Sequence, residues 1–444
     1  MKVIKIIIIS LLCLISFVIL SVVIGVNQLA KKETIVELIN NQTQAQASLE
    51  EVNVQWFPLA ISLKGLSLDP KDSSLKLINP EQPAISLAEL NLYVDLKAGV
   101  QKKLKVSNIE LKKAVINASV LANGELDIAQ WLAPQKTAAT TAMENSPKQS
   151  LIYAGVGAGG SAETADAAIF ILDDFSLEDT IVNLKLVKEK ALVSVKNLSI
   201  STQDFQYPLA QQLLTHSVDV NLAADISYEQ MIQQKQKTGS AKAHIVLAGT
   251  TAMSYLIDKG EFFPNIITTA LTVDKKSQVS VSENLLSEIN QVIALAGQFM
   301  PSLPSVSSTF NASENMVLTA EYNAPKETVT LLKPITLTSQ DWGLSLGNPG
   351  NVNLAKQSQQ VGLALIANEA LSQKAAKEIN QGKLASLGLS KLLFTDDKLT
   401  LKGELKGSFT NPKVSVDDSL KPQNLIKETL KSEIGNQLKN LLGF

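Results

Sequence analysis

Period two runs through most of this chain. Val52, Val54 and Trp56 alternate with polar residues before Phe57-Pro58 turns the chain. Ile61 and Leu63 alternate, Gly65 breaks the phase, and Leu66 and Leu68 resume on the other parity. Ile85 and Leu87 do the same, with a slip at Ala88-Glu89 before Leu90, Leu92, Val94 and Leu96. Leu104 and Val106 slip at Ser107-Asn108 before Ile109 and Leu111. One unmatched residue in a two-period pattern is the mark of a β-bulge, so these segments predict bent strands rather than flat ones.

Alternation returns over Val218, Val220, Leu222, Ala224 and Ile226, and over Met316 to Tyr322. It is cleanest at Leu399, Leu401, Gly403, Leu405, Gly407 and Phe409, whose other face is Lys398, Thr400, Lys402, Glu404, Lys406 and Ser408. A sheet with one wet and one apolar face follows. Helical spacing is rarer and predicts helices over Thr34–Leu38, Pro208–Thr215, Tyr228–Gln234, Asn284–Phe299, Asn368–Leu387 and Pro422–Leu442. The stretch 135–168 is rich in Ala, Thr, Ser and Gly with no period, which reads as a linker or insert. After it, Asp173–Asn183 echoes Ser107–Asn117 and points to a repeated β unit.

Ile6 to Val26 is uncharged. Twenty-one residues at about 1.5 Å each cover about 31 Å, enough for a bilayer core. The run is longer than the apolar core of a signal peptide, and no A-x-A-like site follows it. Cys13 has Leu12 before it and apolar residues after it, which fits a packing or lipid-facing residue rather than a lipidation site. Lys2 and Lys5 before the run nearly balance Lys31 and Lys32 after it. The short charged head favours a cytoplasmic N-terminus and an exported body.

Composition removes whole classes of chemistry. The chain has 444 residues and a net charge of −2, with two histidines and one cysteine. Its cations are all lysines, so no guanidinium fork exists for phosphate or carboxylate. One cysteine makes no disulfide, three Cys and His side chains make no Cys/His zinc site, and the charge balance argues against nucleic acid. Gly155–Gly160 fits G-x-G-x-x-G but lacks a preceding apolar strand, so a glycine-rich linker is the better reading. His216 and His244 read as packed or surface residues, and Asp173-Asp174, Asp396-Asp397 and Asp417-Asp418 as solvated turn residues. No cofactor, metal or catalytic set is expected. At the C-terminus Leu425, Ile426, Leu430, Ile434, Leu438, Leu441 and Leu442 form one helical stripe, with Lys421, Lys427, Lys431 and Lys439 opposite. That helix suits a membrane surface or partner, or a cover for the sheet's open edge.

The order of these segments carries a resemblance. A leading apolar anchor and short helix precede Trp56-Phe57-Pro58-Leu59, Ile61–Leu68, Pro83–Leu96, Leu104–Leu111 and Asn123–Ile128 before Trp131-Leu132. With the tail Leu399–Val416, this resembles the AsmA-like family of inner-membrane-anchored periplasmic proteins. The match covers roughly the first 130 residues and the last 55. It implies a long twisted β-sheet curled into an apolar groove, and a part in phospholipid transfer or outer-membrane biogenesis, with no catalytic residues. Long members of the family are far larger. About 15 strands at about 4.8 Å give about 70 Å, too short to cross the periplasm alone.

The expected organisation is therefore a head over 1–5, an anchor over 6–26 and an AsmA-like β region over 33–134. A linker over 135–168, a mainly β body with some helices over 169–416 and an amphipathic helix over 417–444 follow. Candidate groove residues are Leu63, Leu87, Leu92, Val94, Val106, Val220, Leu222, Leu399, Leu401 and Leu405. Expected partners are phospholipid, the inner membrane and other envelope proteins. The same faces would equally build a closed β core in a scaffold that acts through protein partners.

Overall fold

The computed structural model describes residues 31–417, apart from 96–103, 133–168, 209–213, 231–239, 382–392 and shorter gaps. The Ile6–Val26 run with Cys13, the 135–168 stretch with its glycine motif, and the C-terminal stripe lie outside the described residues. Among the described residues no helix is long and apolar enough to cross a membrane. The chain is mainly β with few helices. It divides into two compact units. The first comprises Met1–Lys188, Ile200–His216 and Leu256–Phe263, and the second Glu189–Ser199, Ser217–Tyr255 and Pro264–Phe444.

In the first unit, helix α1 (Lys32–Gln42) buries Ile35 and Ile39. Strands β1 (Ala45–Ser48) and β2 (Glu51–Trp56) both pair antiparallel with β3 (Leu59–Pro70). Strands β4 (Ile85–Asp95) and β5 (Leu104–Val120) continue the antiparallel order. Helix α2 (Asp127–Leu132) follows, and then β6 (Ile169–Leu186), which pairs parallel with β5. A parallel neighbour needs a long crossover, and residues 121–168 supply one.

The phase slips read from the sequence are present in the burial of their flanks, but only one of them shifts the register of a ladder. Lys64 pairs with Glu89 and Leu66 with Leu87, so Gly65 and Ala88 stand opposite each other with the register unchanged, and neither is the bulge expected of it. Tyr93 pairs with Asn108 and Val94 with Val106, which leaves Ser107 unpaired. Two further slips were not legible. Lys113 and Asp179 have φ of 51° and 50° and occupy matching places, between Lys112–Glu178 and Val115–Ile181. The pairs Lys112-Lys113 and Glu178-Asp179 are polar throughout, so parity cannot register there. Gly65, Ala88, Lys113 and Asp179 thus fall in one row across four strands, where the alternation breaks with the register unchanged.

The echoed segments lie side by side. Asn108 pairs with Asp174, Leu111 with Leu177 and Asn117 with Asn183, the same offset as the sequence echo. The equivalent asparagines are bonded, Asn183 Nδ2 donating to Asn117 Oδ1 at 2.9 Å. Repetition works here because parallel in-register pairing sets like on like: the apolar positions stack as rows and the polar ones as ladders.

Strands β7 (Ala191–Pro208), β8 (Thr215–Gln230), β9 (Ser240–Asp258) and β10 (Glu261–Val273) contribute residues to both units. The helix expected over Tyr228–Gln234 is corrected where it is described. Tyr228 to Gln230 continue β8, held alongside β7 by Ser227 Oγ donating to the Ser194 carbonyl at 3.4 Å. Pro208 ends one strand and Thr215 opens the next, and 209–213 of the helix expected over Pro208–Thr215 lie outside the described residues.

The second unit continues through β11 (Gln278–Val281), β12 (Thr309–Ala312), β13 (Val317–Asn323), β14 (Thr328–Leu331) and β15 (Ile335–Thr338). Then come β16 (Trp342–Asn353), β17 (Ser358–Ala367), α3 (Glu369–Gln381), β18 (Phe394–Thr395), β19 (Lys398–Ser408) and β20 (Asn411–Val416). The ladders are antiparallel, from β10–β13 to β19–β20. The described residues between 286 and 297 are helical, as expected. Helix α3 starts one residue after the expected Asn368, because Asn368 caps it: Oδ1 accepts from Leu371 N at 2.8 Å, and 382–387 of the expected helix lie outside the described residues. Leu371, Ala375 and Ile379 form its buried stripe and join Trp342, Leu365, Leu399 and Leu401 in one core.

Candidate functional site

The candidate site is the apolar side of the strands. In the first unit the registers assemble it into rows. Leu59, Val94, Val106 and Leu172 are successive partners, as are Ile61, Leu92, Ile109 and Phe175. Leu63, Leu90, Leu111 and Leu177 make a third row, and Leu66, Leu87 and Ala114 a fourth. Without the aligned break in alternation between them the third and fourth rows would point to opposite faces. Burial is nearly complete here: Leu63, Leu87, Leu92 and Val106 are 0–4% exposed, and Val94 is half-buried. These rows have the density of a core.

The wet side is polar and paired. Lys105 Nζ meets Asp173 Oδ2 at 2.9 Å across the parallel strands. Asp173-Asp174 therefore belongs to a strand, not to the turn expected of it. Glu110 accepts from Asn108 at 2.8 Å and Asn91 at 3.2 Å and lies 3.4 Å from Lys112. Burial pushes the Glu110 carboxyl up, and these donors outweigh it, so its pKa is lowered.

In the second unit the apolar side is of two kinds. Under α3 it is closed, and Leu399 and Leu401 are 0% and 6% exposed. The Ser372 hydroxyl, also buried, accepts from Leu399 N at 3.2 Å and ties the helix to β19. Sequence reading missed this bond, since a serine on an apolar stripe has no signature of its own. Away from α3 the apolar side is less covered. Leu405 is half-buried beside its partners Val361 and Val414. On β8, Val218 and Ala224 are buried, Val220, Leu222 and Ile226 are half-buried, and Asp219 and Asn221 between them are exposed. Neighbouring Leu192, Val193, Val195, Ile245 and Leu247 are half-buried as well.

The polar candidates do not converge on a reaction centre. His244 Nδ1 lies 2.7 Å from Asp225 Oδ1, and Asn197 donates to the other oxygen at 2.6 Å. The hydrogen bond from His244, with that from Asn197, holds Asp225 below its usual range. All of this is at the surface, where such a pair contributes little stability. His216 Nε2 is 2.6 Å from the Asp204 carbonyl oxygen. Asp396 and Asp397, with φ of 49° and 60°, make the two-residue turn between β18 and β19, as their type predicts. Among the described residues no group of His, Cys, Asp and Glu is placed to hold a metal ion. Set against family models and curated proteins, the chain matches none.

Proposed function

We propose that this chain is anchored in the inner membrane by Ile6–Val26, with its body in the periplasm, and that it binds or transfers phospholipid along an apolar β-groove. The observation that carries the reading is the half-buried aliphatic side of β8, with Val220 and Leu222 and their half-buried neighbours on β7 and β9. Acyl chains need apolar area and no hydrogen bonds, and this side offers aliphatic carbon with few aromatic rings. The AsmA-like resemblance supports the same reading and adds outer-membrane assembly or lipid homeostasis as its setting. No catalytic step is part of it.

A second reading has its own support. The rows around Leu63, Leu87 and Leu92, and the core holding Leu399 and Leu401, are closed. A closed β-body that works through protein partners uses its apolar faces in this way. In-cell photocrosslinking separates the two. A benzophenone side chain at Val220 or Leu222 is expected to trap phospholipid, while one at Asp219, on the other parity, is not. Crosslinks from 220 and 222 to protein alone would sink the lipid reading and favour the scaffold.

A further inference from the structure

Eight large apolar side chains are exposed among the described residues, and six of them sit at chain reversals of the first unit, Val187 at one end of the strands and the other five at the opposite end. Phe57 lies in the two-residue connection between Trp56 and Leu59 and is 88% exposed. Leu214 is 56% exposed just before β8, and Leu256, Ile257 and Phe263 are 40–45% exposed about the β9–β10 connection.

These reversals share one end of the strands. Leu59 pairs with Val94 and Asp95 with Lys105, and Lys105 is bonded to Asp173. The Lys105 ammonium is held above its usual value first by that hydrogen bond, with Asp95 and Asp204 nearby adding to it. The Asp204 carbonyl in turn meets His216, two residues from Leu214. Strands β8 and β9 meet at Asp225 and His244. Roughly ten residues of strand, at about 3.3 Å each, lead from that contact to His216 on one and to Tyr255 on the other. Leu256–Phe263 accordingly falls in the same compact unit as Ile200–His216.

We propose that this apolar edge of the first unit is a bilayer-contacting surface, with Phe57 and Phe263 as its principal wedges. Three observations favour a bilayer as the occupant. The apolar residues stand on three separate connections, so they make points rather than one flat patch, and a fluid interface accepts such points without a matching shape. Helix α1 folds back along β1, with Ala47 N donating to Asn40 Oδ1 at 2.7 Å. Its N-terminal end is therefore directed the way β1 and β2 run, toward Phe57. Five chain steps from Val26 to Lys31 reach at most about 18 Å, so a spanning Ile6–Val26 keeps this unit beside the membrane. The choice of a bilayer rests on the anchor reading above; the apolar edge itself does not.

The test uses the full chain with Cys13→Ser and single cysteines, F57C, F263C or K356C, carrying an environment-sensitive fluorophore. The chain is reconstituted into vesicles of phosphatidylethanolamine and phosphatidylglycerol. Labels at 57 and 263 are expected to shift to the blue and to be quenched by spin-labelled lipid, while 356, in a turn of the other unit, stays water-like. Water-like labels at 57 and 263 on a chain that floats with the vesicles would overturn the edge and leave the anchor standing. A blue shift without quenching by lipid would overturn it in favour of a protein contact. A chain that does not float overturns edge and anchor together. Crosslinking at Leu222 reads the groove separately from all three.

Discussion

Asp127 is the most consequential single acid in the described structure. It is 4% exposed, and its Oδ1 accepts from Ser119 N at 2.8 Å and Ile128 N at 2.7 Å. It thereby fastens the start of α2 to the end of β5. Burial pushes its carboxyl above the ordinary value, and the hydrogen bonds offset this only in part. An acid raised in the folded state binds its proton more readily folded than unfolded. Its contribution is then full below the unfolded pKa and is lost as pH rises through the folded one. Asp127→Asn keeps the acceptor without the charge. It is expected to hold stability at neutral pH and to flatten the loss on raising pH from acid, in denaturant titrations across pH. Asp127→Ala removes both bonds and is expected to cost about 1–3 kcal/mol. Equal losses for the two variants would refute the assignment. In sequence this residue is one more acid before an apolar pair; its burial comes from how α2 returns to β5.

At the scale of elements, the two-residue period was enough to find strands and to place three phase breaks, of which only that at Ser107 is a bulge, because an apolar parity change is visible when both flanks are apolar. It failed at Lys113 and Asp179, where charged neighbours hide the change. It also misread Tyr228–Gln230, where polar residues at helical spacing continue a strand. Register was not legible: the Ser107–Asn117 echo pointed only to a repeated unit, and the structure sets the two copies side by side at the same offset. Close approach of strands was not legible at all. A Cβ added to Gly249 would stand 2.3 Å from the Ala270 carbonyl oxygen on β10. Backbone cannot yield as a side-chain tip does, so Gly249→Ala is expected to cost about 1–3 kcal/mol. Hydrogen exchange should show the loss in β9 and β10. Gly65→Ala also meets a clash, but with the Glu50 side chain, which can swing aside; there the φ of 64° is the main cost, about 1–2 kcal/mol.

At the scale of the molecule, each unit has its own buried set. The second unit's is gathered by α3, whose Ile379 is 1% exposed. Ile379→Ala is expected to cost about 2–5 kcal/mol. Its signature should be faster amide exchange in β17 and β19 with β3 to β5 unchanged, and a uniform rise across both sets would disprove separate cores. The pattern of residues was sufficient to establish strands and their wet and apolar sides, since each depends on neighbours a few positions apart. It did not determine which apolar sides are covered. Leu399 and Leu222 stand in the same alternation, yet one is sealed under a helix and the other is half open. Coverage depends on what distant segments bring to a face, and a local period carries no record of that.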